Sequence, residues 1–83
     1  MLIYVEGFEI ETKEIISIES AGWRKCGFTI KLTNDRELFI GEKEPYDAYP
    51  HEVAFINNRY RVLRNKIEEQ WNKDKIEHVV LNL

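Results

Sequence analysis

The fold is decided by residues 53–71, which read VAFINNRYRVLRNKIEEQW. Apolar side chains recur here at intervals of three and four residues, the repeat of one face of an α-helix. At about 100° per residue they occupy a sector of roughly 80°, a usual width for a helix that lies on a sheet. The predicted core stripe of this helix consists of Val53, Ile56, Tyr60, Leu63, Ile67 and Trp71.

The ends of the helix are predicted from its flanks. Asp47 is a residue type favoured at the N-cap, and Pro50 is tolerated in the first turn. The polar run at residues 72–75 predicts an end near Trp71. Beyond it Val79, Leu81 and Leu83 alternate with other residues, which predicts a last strand over residues 76–83.

The first half of the chain predicts short antiparallel strands. Residues 2–5 are an apolar run, Glu6-Gly7 can form a two-residue turn, and apolar residues alternate with glutamates over residues 8–12. A third short strand is predicted over residues 15–19. The hairpin is expected to keep its carboxylates on the solvent face.

Residues 26–41 predict a second hairpin. Its first strand has an unbroken period of two, and a polar turn at residues 33–36, predicted to resemble type I, leads to an apolar strand at residues 38–40. The residues expected on the buried face are Cys26, Phe28, Ile30 and Leu32.

These patterns predict one α+β domain over residues 1–83. It has an antiparallel sheet of about five to six short strands, a meander or a curled, barrel-like sheet, packed on one long helix in the C-terminal half. The predicted order is β-β-β-β-β-α-β, and the pattern leaves open whether the sheet closes. A chain of 9.9 kDa is expected to form only one core.

Composition and motifs exclude several classes of function. The net charge of −3 gives no polybasic footprint, and no apolar run has the roughly 20 residues needed to cross a bilayer. The chain is therefore expected to make no membrane contact. One cysteine, Cys26, cannot form an intramolecular disulfide, which favours a reducing compartment and so a cytoplasmic protein. Cys26 is expected to be buried and inert. The cysteine and the two histidines lack metal-ligand spacing, and no phosphate loop or nucleophile motif occurs, so no enzyme activity, metal or cofactor is expected.

Four apolar and aromatic residues are candidates for a protein-binding surface. Phe55 and Val62 are seven apart and lie off the core stripe, so they form either an exposed patch or a ridge that the sheet or a loop covers. The irregular segment 42–51 contributes two tyrosines, which either recognise a partner or plug the end of the sheet. The leading hypothesis is a non-catalytic interaction module that binds a protein partner or itself through Phe55, Val62, Tyr46 and Tyr49.

The alternative hypothesis is a nucleic-acid-binding regulator. A tryptophan followed by two cations before the main strand can stack on a base and contact phosphate, or the tryptophan can simply seal the core. The four helix cations at residues 59, 61, 64 and 66 divide between the two flanks of the apolar stripe, which weakens this hypothesis. Its candidate residues are Trp23, Arg24, Lys25, Arg61 and Arg64.

Overall fold

The structure, a computed structural model, describes the backbone of residues 1–81 and the side chains of residues 1–74. Its five strands and one long helix confirm the α+β class. The strands pair antiparallel in two separate sheets, β1-β2 and β3-β4-β5, and they do not close into a barrel. The strands are β1 (Leu2–Val5), β2 (Phe8–Glu11), β3 (Ile15–Ser20), β4 (Lys25–Leu32) and β5 (Glu37–Lys43), and the helix is α1 (Pro50–Leu81).

Both predicted hairpins are present, and positive backbone φ angles close them. Glu6 and Gly7 have φ values of 48° and 84°, and Val5 pairs with Phe8 across this two-residue turn. Asn34 and Asp35, with φ values of 63° and 58°, make the second turn. Positive φ at both central residues is typical of type I′, which matches the twist of the strands, so the expectation of a type I turn was wrong.

The core lies between the three-stranded sheet and α1. The alternation predicted for β4 is confirmed, since Cys26, Phe28, Ile30 and Leu32 are all buried. In β3 the pairing register shifts between Ile15 and Ser17. This bulge turns Ile16 to solvent and lets both Ile15 and Ile18 face the core, although they are three residues apart.

The core stripe of α1 is confirmed. Tyr60 and Ile67 are buried, and the other four predicted positions pack against the core as partly buried side chains. The helix begins at Pro50 and not at Asp47, because Asp47 has a φ of 61° and carries the chain through a turn. The carbonyl oxygen of Tyr49 accepts the first helical hydrogen bonds, from Glu52 and Val53.

The predicted end of the helix and the predicted last strand were wrong. The helix continues to Leu81, so residues 76–81 are helical and not extended, while Asn82 and Leu83 lie outside the described residues. Residues 72–75 are polar but include no glycine or proline, so nothing in them stops a helix. Asp74 also anchors this extension, because its carboxylate lies 3.5 Å from the Met1 ammonium group.

Within the described residues, α1 lacks the continuous apolar character that a membrane-crossing helix requires.

Candidate interaction surface

One flank of α1 exposes large apolar side chains beside the core stripe. Phe55 is 74% exposed and Val62 is 45% exposed. The Tyr49 ring stacks on the His51 ring at the start of the helix, with centroids 5.7 Å apart. His51 and Phe55 are four residues apart, and Val62 follows seven later, so they lie on one flank of the helix. We call Tyr49, His51, Phe55 and Val62 the helix ridge.

A polar cluster next to the ridge links α1 to β5. The hydroxyl of the buried Tyr60 donates a 3.2 Å hydrogen bond to Glu42 in β5 and accepts one of 3.2 Å from Arg59. Arg59 also lies 3.8 Å from the Glu42 carboxylate. The hydrogen bond to Tyr60, and then the charge of Glu42, raise the pKa of Arg59. The ridge is therefore held in place by contacts that do not involve its own side chains.

A groove runs between α1 and β1 on the same flank. One hollow of about 380 Å³ is lined by the whole of β1 and by α1 residues that include Leu63, Lys66 and Gln70. A second, of about 260 Å³, shares Leu63 and Lys66 with the first and is also bounded by Glu6 and Val62. The two hollows are therefore adjacent. We call them together the β1 groove, and Val62 joins it to the helix ridge.

The loop between β3 and β4 forms a second exposed surface. Trp23 is 86% exposed, and the Arg24 guanidinium lies 4.7 Å from the centre of its ring. The Arg24 carbonyl accepts a 2.9 Å hydrogen bond from the Glu44 amide, which ties this tip to the loop before α1. Tyr46, in that loop, is 91% exposed. Trp23 therefore does not seal the core, and Tyr46 does not plug the sheet.

The cations proposed for nucleic-acid binding are not gathered at this tip. Arg64 is occupied elsewhere, because it donates 2.9 Å hydrogen bonds to Glu68 and to the Ile18 carbonyl of β3. Arg61 donates to Asn58 on its own helix, at 2.6 Å. A hollow of about 240 Å³ beside Arg24 is lined by Glu44 and Asp47 as well, and their negative charge opposes the binding of phosphate.

The described residues give little indication of a catalytic or metal-binding site. Cys26 is buried in β4, and burial, followed by the charges of Glu44 and Glu42, raises the pKa of its thiol. A buried thiol with a raised pKa is a poor nucleophile. Within the described part of the chain, no group of three or more histidine, cysteine or acidic side chains is placed to hold a metal ion.

No family model, no curated protein and no solved structure matches this chain. The sequence placed Phe55 and Val62 off the core but did not indicate the β1 groove. The sequence feature that could have indicated this groove is the run at residues 2–5, which forms the only strand without a charged residue among those that the structure describes.

Proposed function

We propose that the protein is a small interaction module that associates through the helix ridge, with a second copy of itself as the expected partner. The observation that carries this proposal is the 74% exposure of Phe55, with Val62 seven residues further along the same flank. The expected setting is the cytoplasm, where a lone thiol such as Cys26 stays reduced.

The ridge supports this proposal because the fold does not use it. All six predicted core positions of α1 already contact the sheets, so Phe55 and Val62 add exposed apolar area without adding to the core. Large exposed apolar side chains grouped on one flank of a small domain are candidates for a protein-binding surface. Aromatic anchors such as Phe55 contribute strongly to binding when a partner covers them.

The double variant Phe55→Asp, Val62→Asp is expected to abolish association, because a partner would have to bury two carboxylates, and removing each from water is costly. Light scattering coupled to size exclusion measures the mass. We expect more than one chain for the wild type and one chain for the variant. Ile16→Asp, at an exposed isoleucine on β3, is the control and should keep the wild-type mass. An unchanged mass in the double variant would contradict the role of the ridge.

A second candidate function is favoured by one observation, the stacked Trp23–Arg24 tip. An exposed indole with two adjacent cations can stack on a base and contact phosphate. With about two phosphates contacted on a single strand, the logarithm of affinity should fall against the logarithm of salt with a slope of about −1.4. Anisotropy titrations of pooled single-stranded DNA and RNA test this. Trp23→Ala is expected to weaken binding by a factor of roughly 5 to 150, and no binding of the wild type at low salt excludes it.

A further inference from the structure

The outer edge of β1 is unpaired by any strand in the described part of the chain. The hydrogen-bond pattern of its hairpin fixes which groups face that edge. The Met1 carbonyl accepts a 2.9 Å hydrogen bond from the Thr12 amide. The two strands pair from Val5 and Phe8, beside the turn, to Leu2 and Glu11 at the far end. Because bonded and non-bonded pairs alternate in an antiparallel ladder, Ile3 and Val5 also bond to β2. The amides and carbonyls of Leu2 and Tyr4 therefore point outward.

The other sheet edges carry features that discourage pairing with another chain. In β3 a bulge interrupts the ladder at Ile16, and Arg64 donates to the carbonyl of Ile18. The strands β2 and β5 carry charged residues along their length. Bulges and charges of this kind are the usual protection of an edge strand. β1 carries neither, and its side chains Leu2 and Tyr4 are exposed.

We infer that β1 is a self-association edge, where the β1 strands of two copies pair antiparallel about a two-fold axis through Ile3. This inference rests on the self-association proposed above and extends its interface. In this register Leu2 of each copy lies opposite Tyr4 of the other. The amides and carbonyls of Leu2 and Tyr4 point outward, so each Leu2–Tyr4 pair forms two N–H···O hydrogen bonds between the copies. The same pairing places the exposed Leu2 side chain against the exposed Tyr4 ring.

The groove beside β1 is suited to a second copy of the chain. Ile3 of the second copy lies over the apolar hollow that Leu63 and Ile67 line. Glu6 of the second copy comes to the Met1 end of β1, where the Met1 ammonium group lies beside the carboxylates of Glu11 and Asp74 and Lys73 is the next residue back along α1. The contact of Glu6 with the Met1 ammonium group or Lys73 is repeated by symmetry on the other side.

The size of the interface links the β1 edge to the helix ridge. A stable dimer buries about 800 Å² per partner, which is more than a four-residue strand edge supplies. Val62 lies at the rim of the groove, so a second copy seated on β1 also reaches the ridge. One assembly can therefore cover both surfaces.

Proline at position 4 tests the edge without removing a backbone hydrogen bond of the hairpin, because the Tyr4 amide points away from β2. Tyr4→Pro removes one donor from each copy and is expected to raise the dimer dissociation constant at least about 30-fold. Sedimentation equilibrium measures the constant, and circular dichroism checks the fold. Tyr4→Lys, which places a charge on the edge, is the second variant and decides the result if the proline variant does not fold. Ile16→Lys is the matched control on β3.

Hydrogen exchange gives a direct readout on the wild type. The amides of Leu2 and Tyr4 should exchange more slowly as the protein concentration rises, whereas those of Ile3 and Val5 are protected at all concentrations. Loss of the dimer in the Tyr4 variants but not in Ile16→Lys supports the inference. Dimers that persist in both Tyr4 variants but dissociate in Phe55→Asp, Val62→Asp overturn the β1 edge and leave the proposed function standing. A wild type that is monomeric throughout overturns both.

Discussion

Gly27→Ala is expected to lower the free energy of unfolding by about 3–4 kcal/mol, the sum of overpacking and of an unfavourable φ angle. Gly27 in β4 lies directly opposite Gly41 in β5. A β-carbon at Gly27 would fall on the carbonyl oxygen of Ile40 and within 2.6 Å of the Gly41 α-carbon. Its φ of 136° adds strain for any L side chain. Since both obstacles are main-chain atoms, rotation of a side chain cannot relieve them.

Gly22→Ala is the matched control. A β-carbon at Gly22 has no neighbour within 4 Å, and the residue lies in the loop between β3 and β4. Its stability should stay within about 0.5 kcal/mol of the wild type. Urea unfolding followed by circular dichroism measures both variants. Equal stabilities for Gly27→Ala and the wild type would contradict the close approach of β4 and β5.

The glycine pair shows what strand periodicity leaves out. Alternation placed Gly27 on the face opposite Phe28, as the structure does. The alternation does not explain why position 27 is a glycine, because the explanation is the close approach of Gly41 in β5. Which residue lies opposite depends on the register between β4 and β5, and the register depends on the turn at Asn34 and Asp35. A pairing of this kind is a property of two strands, while periodicity describes one.

The helix was predictable where its packing repeats and not where it ends. Six apolar residues from Val53 to Trp71 specified the buried face, since only one helical face brings them together. The end of the helix was mispredicted because residues 72–75 are polar but contain no glycine or proline, and polarity alone does not end a helix. The alternation of Val79 and Leu81 suggested a strand because a short apolar alternation does not distinguish the two structures.

The candidate surface was predictable only where it depends on spacing within one helix. Phe55 and Val62 could be placed off the core because their angle around the helix follows from spacing alone. The β1 groove could not, because the sequence did not show that the strands divide into two sheets. A single sheet of five strands would have given β1 a different set of neighbours. Its free edge became visible only with the pairing of Leu2–Val5 to Phe8–Glu11.

Phe28→Ala and Phe55→Ala make the same chemical change in two environments, and we expect them to separate folding from association. Phe28 is 1% exposed in the middle of β4, so its truncation leaves a cavity and should cost about 3–5 kcal/mol of unfolding free energy. Phe55 projects from the helix ridge, and its truncation should change the stability of the monomer by no more than about 0.5 kcal/mol.

Urea unfolding at low protein concentration, where association does not add to stability, measures this pair of variants. Phe28→Leu, with a smaller cavity, keeps the comparison possible if Phe28→Ala is unfolded without denaturant. In association measurements the order should reverse: Phe55→Ala is expected to weaken the dimer, whereas the folded Phe28→Leu should associate like the wild type. A large loss of monomer stability in Phe55→Ala would mean that Phe55 belongs to the core, and the helix ridge would then lose its role as a binding surface.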